Sequence, residues 1–181
     1  MLYGLDVSRK HIIDWERLKQ TKYGDFIYLK AVDGMTKDPS FEKNIQSAKQ
    51  VKIPCGTLSN FRLDIDVDKQ IRLISEIEKG DLPPAICIDD FGKCSLKTAK
   101  EKINILFENF SGVIQTSYRF WDMVIRQTPK QSIWIIDYNI IQTTPKLPFG
   151  IKTWDIWQYT SVGRVDGINV NVNINRMNKG K

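Results

Sequence analysis

Histidine is almost absent from this chain: one residue in 181, His11. A single imidazole argues against a His-rich metal site and against a His-based catalytic triad. Beside Lys10, His11 reads as a polar surface residue. Cysteine is sparse as well. Cys55, Cys87 and Cys94 form no CxxC pair, and an odd number of thiols does not make a disulfide framework. No apolar run reaches the length of a membrane span, and the opening residues MLYGLDVS lack a basic region followed by an apolar stretch. Neither membrane insertion nor a signal peptide is therefore expected. No Pro/Gly/Ser-rich linker divides the chain, so residues 1–181 are expected to form one domain. Lys and Arg outnumber Asp and Glu by 27 to 21, a net charge of +6 that favours an anionic partner. The basic residues are scattered, with no arginine-rich tract, so no nucleic-acid partner is expected.

What the chain does have is a succession of short apolar runs that end in acids. The central one is LPPAICIDDFG, residues 82–92. Pro83 and Pro84 stop what precedes them, and Ala85–Ile88 reads as a strand buried on both faces, as in a parallel sheet. Asp89 and Asp90 follow, at the strand end where α/β folds place their chemistry; one of them equally serves to cap the next turn. Leu2–Val7 is a first strand, with Asp6 near its end. Phe26–Val32 is a second, running into Asp33-Gly34 and carrying Lys30, whose charge inside a strand calls for a partner. Residues 56–61, 113–117 and 132–137 read as further strands. Helical spacing places helices over 12–20, with Asp14 as N-cap, and over 41–51, 66–79 and 99–110. The aromatic, Val-, Ile- and Gly-rich tail from Trp154 onward reads as short antiparallel strands. Strands alternating with helices predict a parallel α/β arrangement, closed into a barrel or wound on both faces.

The strand ends supply Asp6, Asp33, Asp89 and Asp137, with Tyr138 and Trp157 as aromatic neighbours. Acids and aromatic platforms in one cleft suit a glycosidase: a carboxylic acid protonates the leaving oxygen, and negative charge stabilises the oxocarbenium-like transition state. The order of motifs sharpens this. YGLDVS (3–8), IDW (13–15), FIYLKAVDG (26–34), DPSFEKN (38–44), LPPAICID (82–89), SIWIIDY (132–138) and DIWQYTSVGRVDGI (155–168) occur in succession. From Gly4 to Asn175 the chain resembles the GH25 lysozymes, the Chalaropsis-type N-acetylmuramidases. The resemblance implies an irregular, flattened β/α barrel like a TIM barrel, with a groove at the C-terminal ends of the strands. It implies hydrolysis of the β-1,4 bond between N-acetylmuramic acid and N-acetylglucosamine in peptidoglycan, with no metal or organic cofactor. A wall-acting protein without a visible signal peptide is expected to be phage-encoded or exported by a non-classical route.

The family's four carboxylates are only partly kept. By resemblance the first falls on Asp6, a D-x-E pair falls on Cys87 and Asp89, and the fourth falls on Asn173. Residues two apart on a strand share a face, so Cys87 and Asp89 look into the groove while Asp90 belongs to the turn. Asp89 in place of Glu draws the carboxyl back by roughly 1.5 Å. Cys87 brings a buried, neutral thiol, and Asn173 a hydrogen-bonding amide that is neither base nor counter-charge. The groove lining departs too, at Leu58-Ser59 and Gln115. The site expected from the resemblance therefore has Asp89 as general acid and Asp6 as stabilising charge. Asp33, Lys30, Cys87, Gln115, Asp137, Tyr138, Trp157 and Asn173 are expected to contact substrate. The other reading is a non-catalytic glycan-binding or structural domain on the same barrel.

Overall fold

The computed structural model describes residues 1–77 and 80–178. Its strands are β1 (Leu2–Val7), β2 (Phe26–Asp33), β3 (Thr36–Lys37), β4 (Cys55–Asn60), β5 (Ala85–Cys87), β6 (Val113–Ser117), β7 (Ser132–Ile136), β8 (Ile156–Gly163) and β9 (Val172–Met177). Pairing runs β1-β9-β8-β7-β6-β5-β4-β2, and β1 also pairs with β2, which closes eight strands into a barrel. The two-residue β3 hangs outside the ring on β2. Neighbours are parallel from β1 through β2 and on to β8; β9 alone runs antiparallel, between β8 and β1. The antiparallel tail read from composition is thus the piece that completes a single-domain α/β barrel.

The barrel interior is filled by pleat alternation. Phe26, Tyr28, Leu58, Ala85, Val113, Trp134 and Ile156 form one buried cluster. Two glycines admit the large rings of β2. A Cβ on Gly4 would collide with the Phe26 carbonyl, and one on Gly56 would run into the Tyr28 ring. Tyr28 leans on Trp134 at a ring-centroid distance of 4.8 Å. The opposite strand faces, among them Leu5, Ile27, Leu29, Ile86, Ile114 and Ile135, pack under the helices in the larger outer core.

Four helices cover that outer face: α1 (Trp15–Gln20), α2 (Phe41–Gln50), α3 (Val67–Ile77) and α4 (Leu96–Asn109). Asp14 caps α1 by accepting the Arg17 N–H, as its place before the apolar face predicts. α4 begins three residues earlier than its apolar spacing indicates, because Ser95 caps it through the Thr98 N–H. The expected end of the third helix, residues 78 and 79, lies outside the described residues. One segment carries no periodic signal and is missed by the sequence reading. A short α5 (Tyr118–Phe120), capped by Ser117, runs into a π-helical turn, Trp121–Ile125, which ends at a left-handed Arg126 (φ 46°).

Candidate active site

At the C-terminal mouth of the barrel the side chains two residues beyond the apolar interior layer are mostly polar. Lys30 follows Tyr28, Asn60 follows Leu58, Cys87 follows Ala85, Gln115 follows Val113, and Gln158 follows Ile156. Period-two alternation points each of these the same way as its apolar predecessor, so they floor a groove of about 270 Å³. Asp6, Asp89, Tyr138 and Asn173 line the same cavity, which brings most of the predicted site together.

Asp6 lies at the bottom, 7% exposed. Its Oδ1 accepts from Asn173 Nδ2 at 2.7 Å, and its Oδ2 from Gln158 Nε2 at 2.7 Å and Asn175 Nδ2 at 2.9 Å. Two of these amides are locked in that orientation from behind. Trp134 Nε1 donates to Asn175 Oδ1 at 3.1 Å, and the Tyr138 hydroxyl donates to Gln158 Oε1 at 3.2 Å. Each amide thereby has its oxygen engaged and its NH2 turned to the carboxylate. Burial pushes the Asp6 pKa above the ordinary carboxylate value, and the three amide donors with the nearby His11 only partly offset it.

His11 is not the surface residue expected. It is 7% exposed and closes over the same site: its Nδ1 accepts the Ser8 N–H at 3.0 Å, and its Nε2 faces the Asn171 carbonyl at 3.3 Å. Burial and the Lys10 charge lower its pKa, which favours the neutral ring. The imidazole ties the loop after β1 to the approach to β9. With Asn60, Gln158 and Asn175, it is a site residue that sequence reasoning missed. For Asn60 and Gln158 the pattern of a polar residue two beyond each apolar one was the available signal.

Asp89 stands exposed at the rim, its Oδ1 accepting the Ser117 N–H at 2.7 Å. Asp90 caps its own turn through the Gly92 N–H, as strand parity predicts. The half-buried Cys87 thiol, which shares the groove with Asp89 and Asp6, is pushed up to about 12, chiefly by burial and then by the charge of Asp89. It contributes a neutral wall. Gln115 is 3% exposed, and its Nε2 has no hydrogen-bond partner among the described residues.

Three expected contacts fall elsewhere. Trp157 does not line the groove: it is fully buried on the outer face of β8, packs against Trp154 and Tyr159, and donates to the Asp137 carbonyl at 2.7 Å. Its odd parity with respect to Gln158 turns it away from the barrel interior. Asp137 does not line the groove either; its carboxylate accepts the Lys146 N–H and tethers the 137–150 loop. Asp33 sits in a neighbouring depression, bonded to Lys30 Nζ (2.8 Å), Arg62 Nε (2.8 Å) and Asn60 Nδ2 (3.1 Å). Residues i and i+3 of a regular strand face opposite sides, but the register of β2 on β4 slips between Lys30 and Val32. The irregularity brings Lys30 and Asp33 to one side, and supplies the partner that Lys30 requires.

Burial opposes ionisation of Asp33, but the hydrogen bonds and charges of Lys30 and Arg62 prevail and hold its pKa below the usual value. A depressed carboxylate stabilises the fold above its unfolded pKa, near 3.8, and that contribution is lost as pH falls through the folded value. Asp33→Asn is therefore expected to lower the melting temperature at neutral pH. The gap to wild type should close as thermal scans are taken to pH values below 3.8. A gap that is constant with pH would mean that the ion pairs contribute nothing.

Among the described residues no three His, Cys, Asp or Glu side chains cluster as a metal site. No described helix is long and apolar enough to cross a membrane.

Residues 5–168 match the glycosyl hydrolases family 25. The uncharacterized protein YegX of Escherichia coli O157:H7 is 27% identical over 192 aligned positions, spanning 98% of this chain and 70% of that one. Lysozyme M1 of Streptomyces globisporus is 30% identical over 70 positions, 36% of this chain and 23% of that one. The bacterial lysozyme from Streptomyces coelicolor superposes with a TM-score of 0.85 at 24% identity, covering 98% of this chain and 92% of that chain, a likeness of fold. With a match that takes in β1 through β8 and a groove at the C-terminal ends of the strands, the chain belongs to glycosyl hydrolases family 25.

Proposed function

We propose that the protein is a peptidoglycan hydrolase of reduced rate, cleaving the β-1,4 bond between N-acetylmuramic acid and N-acetylglucosamine. Asp89 donates the proton to the leaving oxygen, and Asp6 supplies negative charge beneath the developing oxocarbenium ion. The observation that carries this reading is the Asp89 carboxylate, exposed over the groove and held in place by a backbone N–H. A proton donor must be both reachable and fixed, and Asp89 is both. The rate is reduced because Cys87 and Asn173 are neutral, and because Asn173 spends its amide on Asp6.

A second reading, a glycan-binding domain that does not cleave, draws on a different observation. The unpartnered Gln115 amide and the neighbouring neutral groups offer hydrogen bonds to sugar hydroxyls more than they offer acid–base chemistry.

Peptidoglycan digestion with detection of new reducing ends separates the two. Wild type is expected to release reducing ends, and Asp89→Asn to lower the rate by about 10²- to 10⁴-fold, the usual range for loss of a general acid. Saccharide binding without released ends in the wild type would establish the second reading instead.

A further inference from the structure

Beside the groove, under the β2–β3 turn, lies a separate depression of about 460 Å³ that the proposed reaction does not use. Ser8 and Lys30 line both cavities, so the two are contiguous. Four cationic side chains (Arg9, Lys30, Lys37, Arg62) and two carboxylates (Asp33, Asp38) line the depression, which leaves it net positive.

Both carboxylates are already engaged. Asp33 is held by Lys30 and Arg62. Asp38 accepts the Arg9 N–H at 3.1 Å through Oδ2, and the Ser40 N–H and hydroxyl through Oδ1. The surplus positive charge is shared across the depression, but the cations left without a partner are Arg9 and Lys37, whose side chains form no ion pair or hydrogen bond among the described residues. Their backbones are nevertheless fixed, Arg9 by its bond to Asp38 and Lys37 by pairing of β3 with Val32. Two unpaired cations on a held backbone, at the edge of a groove, are preorganised for an anion.

We infer that this depression binds a carboxylate carried by the glycan, with Arg9 and Lys37 as its ligands. The inference rests on the proposed peptidoglycan reading for its ligand class. Muramic acid bears a lactyl substituent that ends either in a free carboxylate or in an amide-linked stem peptide with carboxylates of its own. A sugar chain in the groove projects such a substituent sideways, and the depression is the cationic surface contiguous with the groove. Neutral N-acetylglucosamine oligomers lack the group and gain nothing there.

The test is calorimetric binding of four probes to wild type and to Arg9→Ala/Lys37→Ala. The probes are a neutral N-acetylglucosamine oligomer, a peptide-stripped muramic-acid-containing oligomer, the same oligomer with its stem peptide, and the free stem peptide. Both substituted residues are exposed, and unchanged melting temperature confirms the fold. Wild type is expected to prefer a charged oligomer over the neutral one by about 10-fold at low salt, as two charge-assisted contacts allow. The preference should shrink with added salt and vanish in the double variant, while neutral-oligomer binding stays the same. The tighter of the two charged oligomers identifies which carboxylate docks.

Equal affinity for neutral and charged oligomers overturns the inference, as does a charge preference that survives in the double variant. If no oligomer binds, the glycan reading of the groove fails. The free peptide then decides alone: binding lost in the double variant upholds the carboxylate site, and no binding removes it.

Discussion

Restoring the acids at three positions, Cys87→Asp, Asp89→Glu and Asn173→Asp together, is expected to raise reducing-end release by about 10²-fold or more, in the range attributed to general acid–base catalysis. The argument is geometric. Asn173 Nδ2 is 2.7 Å from Asp6 Oδ1, so an Asp there sets two carboxylates in contact, and they must share a proton. A Glu at 89 reaches roughly 1.5 Å further over the groove than the present Asp. An Asp at 87 replaces a neutral thiol with a charge on the same face as residue 89. These acids crowd one cavity, and like charges nearby keep one of them protonated at the pH where a proton donor is needed. The triple variant is also expected to be less stable than wild type, because unpaired charge enters a site where burial already disfavours Asp6 ionisation. A triple variant with no gain in rate would place the loss of activity in the rest of the lining, at Leu58 and Gln115.

The largest effect on stability is expected at Trp134. This ring is fully buried in the barrel interior, stacks at an angle on Tyr28, and donates to Asn175 Oδ1. Trp134→Ala removes the packing and leaves a cavity, for a loss of about 3–5 kcal/mol. It also frees the Asn175 amide to turn, which deprives Asp6 of one of its three donors. Trp134→Phe separates the two contributions. It keeps an aromatic ring but loses the N–H and the pyrrole half of the indole, so about 1–3 kcal/mol is expected for the unsatisfied buried acceptor, with a packing loss smaller than that of the Ala variant added to it. Denaturant titration reads both as a lowered midpoint with unchanged slope. Equal midpoints for the Phe variant and wild type would show that the Trp134–Asn175 bond does not hold the network together.

Much of the architecture was legible because it is locally encoded. Apolar runs bounded by Gly, Pro and acids located β1, β2, β4, β5, β6 and β7, and Asp14 marked the start of α1. Strand parity separated Asp89 from Asp90: the even spacing from Cys87 sends Asp89 to the groove, and Asp90 closes a turn. Parity could have gone further. The alternation Ile156, Trp157, Gln158 already sets Trp157 and Gln158 on opposite faces, and it is the less conspicuous amide that belongs to the groove. The segment from Tyr118 to Ile125 had no such signal, since a three-residue helix joined to a π turn has too few residues to show a period.

By itself, then, the sequence determined the alternating strands and helices and the strand-end acids, which follow from spacing and composition. Only the tertiary structure decided which of those acids meet. Asp6 is held by amides 152 to 169 residues away in sequence. His11 is drawn into the same site by the approach to β9, and Asp33 is brought beside Lys30 by a slip in register. Contacts of that kind depend on how β9 inserts between β8 and β1 to close the barrel. The physical reason is that local propensity sets the pleat of each strand, whereas register across a closed sheet is set by the packing of all eight strands at once.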